Sequence, residues 1–156
     1  NSKNICYRNK TRKAINKDVQ AYLLPEEYDL IPYIGEVNKY NQDAFIFKGA
    51  RFIMYLTTKC KTFKKNEEVE VVDYTGKIIT ITNGTETMDI KYDTKTFHKT
   101  FLLGYATTIH KSQGDTINGN INIFDIKFIR EWLNDKRALY TALSRATALS
   151  NIKISR

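Results

Sequence analysis

Residues 100–114 read TFLLGYATTIHKSQG, an apolar run that passes through a glycine into a crowd of hydrogen-bonding side chains. The run TFLLGYA reads as a strand of an α/β layer, and the residues after it as a loop opening into a helix. Thr107, Thr108, His110, Lys111 and Ser112 are donors of the kind that hold a phosphate backbone. Gly114 would let a backbone N–H come close to an anion. Each residue alone reads as a polar helix start. Together they are more than a core requires.

Toward the C-terminus, GNINIFDI (119–126) is a strand candidate, FIREWLNDKRALYTALSRAT (128–147) is patterned as a helix, and NIKIS (151–155) as a last strand. Within LYTALSRAT (139–147), helical spacing brings Tyr140, Ser144 and Thr147 near one face with Arg145 beside them. An arginine in such a place often lies along the surface with its head in water. It is also what phosphoryl transfer uses to neutralise transition-state charge, with an effect on the order of 10³–10⁵ in rate.

Toward the N-terminus, NICYR (4–8) has the texture of a short buried strand. From Thr11 a helical period sets Ile15, Val19, Tyr22 and Leu23 on one face until Pro25 stops it. Arg8, Asn9 and Arg12 surround that strand–helix junction, where backbone donors and cations meet. Residues 26–44 are polar and irregular, with Tyr28, Tyr33 and Tyr40 interspersed. From Gly49 the texture becomes all β: GARFIMYLTT, EEVEVVDYTG, KIITITNG and TMDIKYD succeed one another, separated by Tyr-Thr-Gly and Asn-Gly turn signals. Strands at this spacing predict a small barrel. The expected organisation is therefore a discontinuous α/β domain, residues 1–48 and 99–156 around one parallel-type sheet, carrying an inserted β-barrel at 49–98.

The formal charge of +8 over 156 residues, 25 Lys and Arg against 17 Asp and Glu, favours polyanionic partners. Local clustering is confined to the loop KCKTFKK (59–65), basic at Lys59, Lys61, Lys64 and Lys65. Cys6 and Cys60 have no paired-ligand spacing, so no metal site is expected, and a reducing intracellular compartment fits best. No apolar run reaches the roughly 18–20 residues of a membrane span, so no membrane partner is expected. The chain opens without a methionine on a strand-like run and reads as a piece of something longer.

The order of these clusters, with a barrel between the first and second, resembles superfamily 1 helicases of the RecD-like and Pif-type branch, and within them the second RecA-like motor domain. ICYRNKTRKAIN matches their motif IV, GARFIMYL through MDIKYD the layout of their Src-homology-3-like barrel, Tyr105 to Gly114 their motif V, and Tyr140 to Ala146 their motif VI. The resemblance implies an ATP-dependent nucleic-acid helicase, on DNA and moving 5′ to 3′, in which Arg145 is an arginine finger reaching the γ-phosphate of ATP. It places Gln113 and Gly114 at the nucleotide edge, with Arg12 from motif IV and Arg8 as the competing choice. It turns Thr108, His110, Lys111 and Ser112 toward a single strand. Asp115 departs from the pattern by setting an anion near the nucleotide. ATP and Mg²⁺ would be held mainly by the N-terminal motor domain of the same protein, because the sequence has no G-x-x-x-x-G-K-[ST] loop. The chain alone is accordingly expected not to hydrolyse ATP. Two other readings stay open: a non-enzymatic nucleic-acid-binding module, and an RNA helicase of the same superfamily.

Overall fold

The computed structural model describes residues 2–55 and 62–155. It consists of two compact units, Asn1–Asn16 with Tyr105–Arg156, and Lys17–Gly104. Lys59 and Lys61 of the basic loop, and Cys60, lie outside the described residues.

The first unit is built on four parallel strands, β1 (Ser2–Cys6), β9 (Ala106–Thr108), β10 (Asn120–Ile123) and β11 (Ile152–Ile154), in the order β11-β10-β1-β9. Alternation along the strands sorts the side chains. Ile121 and Ile123 are fully buried with Ile5, Ile109 and Ile129 in a core closed by Ala138 and Ala142. Asn122 instead donates to Asn4 Oδ1 (2.9 Å), and Asn4 donates to the Tyr105 carbonyl (3.0 Å), so an amide ladder ties the strands together.

The segment patterned as one helix over 128–147 is two. Helix α3 (Ile126–Phe128) runs into a π-type turn, Ile129–Leu133, which ends where Asn134 adopts φ 46°. Helix α4 (Lys136–Leu143) then starts afresh, with the Asp135 carboxylate accepting the Ala138 amide at 2.9 Å. An Asp N-cap of this kind competes well with helix continuation. Since α4 ends at Leu143, Arg145 stands on the turn beyond it and not on the helix.

Helix α1 (Asn9–Leu23) buries only part of the apolar face expected, Ile15 and Val19 being half-buried beside a polar row. Tyr22 and Leu23 are exposed, while Arg12, Asn16 and Gln20 are 2%, 0% and 2% exposed. Two of these polar residues complete strand edges, whose backbone groups need partners when buried. Asn16 Oδ1 accepts the Ala106 amide at 2.9 Å in the first unit. In the second unit Gln20 accepts the Phe45 amide and donates to the Asp43 carbonyl, both at 3.1 Å, on strand β3 (Ala44–Ile46) and the residue before it, which pairs with β2 (Asp29–Ile31).

The all-β texture forms an antiparallel sheet in the order β7-β6-β5-β4-β8, from β4 (Arg51–Met54), β5 (Glu68–Tyr74), β6 (Ile78–Thr82), β7 (Thr87–Lys91) and β8 (Phe101–Leu103), the last entered from the short helix α2 (Phe97–Thr100). No β7–β8 pairing closes it into a barrel among the described residues. The Asn83-Gly84 signal does mark the turn from β6 to β7, with Gly84 at φ 94°. The run TFLLGYA is divided: Phe101–Leu103 joins this antiparallel sheet beside β4, and Ala106–Thr108 joins the parallel one. Gly104 sits at the division, where a Cβ would meet the Phe52 backbone at 3.0 Å. The compact units part at 16/17 and 104/105, with Gln20, β2, β3 and β8 bonded within the second unit.

Candidate functional site

Parallel strands end on one edge, and that edge is where α/β sheets place ligands. In the first unit Cys6 pairs with Thr108 and Ile5 with Ile123, so the segments after β1, β9 and β10 leave the sheet together. Their backbones are joined at the exit: the Ile109 amide donates to the Cys6 carbonyl (2.9 Å) and the Phe124 amide to the Ile5 carbonyl (2.8 Å).

The segment after β9 is a chain of turns over 109–114, without the expected helix. Thr108 builds it, its carbonyl accepting the Ser112 amide (3.1 Å) and its Oγ1 the Lys111 amide (3.3 Å). Ser112 is 1% exposed and its hydroxyl donates to the Ile109 carbonyl at 2.8 Å. Thr108 and Ser112 are thus turned inward, against the expectation that they face a strand, and shape the turn that presents the others. His110 and Gln113 are exposed, Lys111 is half-buried, and the His110 ring lies 5.5 Å from that of Tyr7. Gly114 has φ 85° with open space around the site of a Cβ. Its glycine suits the left-handed backbone.

Arg145 reaches this turn. Its Nη1 donates to the carbonyls of Asp115 (3.1 Å) and Ser112 (3.4 Å), its Nε to the Thr141 carbonyl at the end of α4 (3.1 Å), and its Nη2 to Ser144 Oγ (3.1 Å). The main chains join as well, the Ile117 amide donating to the Arg145 carbonyl at 2.9 Å. These acceptors are neutral oxygens, so the guanidinium is held in place without its charge being cancelled. Such a group suits a phosphate oxygen. The donors gathered here do not suit a magnesium ion, and no His, Cys, Asp and Glu cluster able to hold a metal occurs among the described residues.

The β1–α1 junction is arranged differently from the sequence reading. Asp125, after β10, accepts the amides of Tyr7 (3.1 Å) and Arg8 (2.9 Å) through Oδ2, and Arg8 Nη2 (2.7 Å), Arg8 Nε and Thr11 Oγ1 through Oδ1. Burial alone would raise this carboxyl, but the bonds from Arg8 and Thr11 outweigh it and hold it below its usual 3.8. The chain's own carboxylate therefore fills the place where an anion was expected. Arg8 is ion-paired there and lies 4.6 Å over the Phe128 ring. Arg12 is buried, its Nε donating to Asn9 Oδ1 at 3.2 Å. Asp125 was missed because FDI reads as the end of an apolar strand. Its one signal was an Asp between a strand and a helical pattern, a position that caps.

Against known proteins, residues 103–152 match the family described as UvrD-like helicase C-terminal domain. The whole chain superposes on solved Pif1 helicases: the Bacteroides enzyme bound to single-stranded DNA (TM-score 0.71, 19% identity) and the same enzyme with ADP-AlF3 and single-stranded DNA (0.70, 21%). The Pif1 helicase of Candida albicans also matches (0.66, 12%). The fold is that of the matching part of these Pif1 helicases. Each match covers 99% of this chain but only 40%, 40% and 45% of the helicase. No curated protein sequence matches the chain. The matched segment, 103–152, contains β9, the turn, α4 and Arg145.

Proposed function

We propose that the chain is the C-terminal portion of an ATP-dependent DNA helicase that moves 5′ to 3′, supplying a phosphate-directed arginine and part of the single-strand track. The observation that carries this reading is the Arg145 guanidinium donating to the Ser112 and Asp115 carbonyls, which sets the fuel-sensing residue on the turn that presents His110, Lys111 and Gln113. The relatives solved with ADP-AlF3 and with single-stranded DNA support both halves of it.

In this reading Arg145 neutralises charge developing on the transferred phosphoryl group. Gln113 and Gly114 border the nucleotide, and His110 and Lys111 face the strand, with Thr108 and Ser112 fixing their turn. ATP and Mg²⁺ are held mainly by an N-terminal motor domain, which supplies the phosphate loop. That domain and a single DNA strand are the partners, inside the cell. The inserted all-β part belongs to the same motor domain by this proposal.

The first test is binding of a labelled oligo-dT by the chain. Tight binding at low salt that weakens with a log–log slope of roughly 0.7 per phosphate engaged is expected. Affinity indifferent to salt would count against a strand track. Unwinding of matched DNA and RNA duplexes by the helicase-length protein then separates the DNA reading from its RNA counterpart.

A further inference from the structure

The second unit gathers aromatic rings and ammonium groups that the helicase motifs do not use. Tyr40 and Tyr55 lie with their ring centroids 6.0 Å apart and their planes at 34°, nearer to stacked than to edge-on. An ammonium lies over each ring: Lys39 Nζ is 4.9 Å from the centre of Tyr40, and Lys65 Nζ 5.3 Å from that of Tyr55. Three separate pieces of chain are fixed to bring them together. Asn38 Oδ1 accepts the amides of Tyr40 and Asn41, both at 2.8 Å, and so shapes the loop that carries Lys39. Just past β4, the Tyr55 amide donates to the Thr100 carbonyl at 2.8 Å. Lys64 and Lys65 follow the buried Phe63, and the Asn66 amide donates to the Met54 carbonyl at 2.7 Å, next to Tyr55. Glu67, the acid of that turn, is engaged by the Lys64 amide at 2.7 Å and by Asn83 Nδ2 at 2.8 Å.

Both tyrosines are half-buried and both lysines exposed. Single-stranded nucleic acid is held by such equipment, a ring face for the base and a cation for the phosphate beside it. We propose that Lys39, Tyr40, Tyr55 and Lys65 form a second single-strand platform, separate from the turn at 109–114. Bases of single-stranded DNA stack on the two rings in the places the ammonium groups hold, and the ammonium groups turn to the flanking phosphates. Magnitudes favour the exchange. An exposed ammonium over a ring is worth roughly 2- to 5-fold in an equilibrium, and a stacked base roughly 5- to 100-fold. The displaced ammonium gains a charge-assisted bond to phosphate oxygen in return. Naming DNA as the ligand rests on the helicase reading, which places its strand contacts on the first unit; the platform itself stands on the ring geometry of the second.

The experiment measures binding of the chain to oligo-dT and to an abasic polymer of the same length, which keeps the phosphates and lacks the bases. The parent should prefer oligo-dT. Tyr40→Leu and Tyr55→Leu should each weaken oligo-dT binding about 5-fold or more and shrink that preference, whereas Tyr55→Phe, which keeps the ring, should stay close to the parent. Tyr22→Leu, at a tyrosine of α1 that is 89% exposed, should change nothing. Lys65→Gln should lower the log–log salt slope by about 0.7, one phosphate's share. Equal affinity of the parent for the abasic polymer, or parental oligo-dT affinity in both leucine variants, would overturn the platform. Should a leucine variant fail to fold, oligo-dT carrying 5-iodouracil is irradiated on the parent chain and the adducts are mapped. Adducts at Tyr40 or Tyr55 are expected. Adducts at His110 without either tyrosine overturn the platform and spare the helicase reading; adducts at the tyrosines without His110 keep the platform and count against the strand track of the first unit. A parent that binds no oligo-dT also overturns the platform, while ATP hydrolysis by the helicase-length protein still decides the motor.

Discussion

At the scale of single residues, two buried titratable groups make the chain acid-sensitive for different reasons. Asp125 is ionised in the fold and receives five hydrogen bonds. Its carboxyl is held below 3.8, so its contribution is complete above that pH and is lost as the pH falls through the folded value. Replacing Asp125 with Ala leaves Tyr7, Arg8 and Thr11 without their acceptor and should cost roughly 1–3 kcal/mol, measured by urea unfolding at neutral pH. His98 behaves as a buried neutral base. Burial lowers it from 6.5, against the opposing carbonyls of Ile31 and Pro32, and its Nε2 lies 3.0 Å from the Ile31 carbonyl. The unfolded chain takes up the proton first, so stability should decline as the pH drops below about 6.5. A His98→Gln variant should show a flatter stability profile between pH 6.5 and 5 than the parent. An unchanged slope there would mean that His98 is not its source.

At the scale of elements, the sequence reveals whatever a repeating period dictates and conceals whatever satisfies a strand edge. Strand β1, helix α1, the β6–β7 turn and strands β10 and β11 stand where patterning put them. The most buried row of α1 was not foreseen, because periodicity counts apolar residues, whereas Asn16 and Gln20 are buried to serve amides 90 and 25 residues away. That pairing depends on tertiary structure and leaves no local trace. Gln20→Leu should therefore destabilise the second unit by roughly 1–3 kcal/mol although it adds apolar surface, and calorimetry would detect it. The break at Asn134-Asp135 was legible in principle as an N-cap signal inside a long helical pattern. Asp135→Ala should cost about 1 kcal/mol, read by thermal unfolding.

At the scale of the whole molecule, the positive charge is unevenly assigned. The first unit carries thirteen Lys and Arg against four Asp and Glu, a balance of +9, and the second twelve against thirteen, a balance of −1. A polyanion is thus drawn to the unit whose sheet edge carries the turn, which the scattered lysines did not reveal before the units were known. The resemblance to helicase motifs set Arg145 and the histidine-bearing turn in one apparatus as an expectation. Only the fold shows how they meet, through main-chain carbonyls and not side chains, and so through acceptors any sequence would have offered. The central claim is that this meeting serves nucleotide turnover, and the most direct measurement is DNA-stimulated ATP hydrolysis by the helicase-length protein with Arg145 replaced by Ala. The account predicts a fall on the order of 10³ or more in turnover, and turnover equal to the parent's would contradict it.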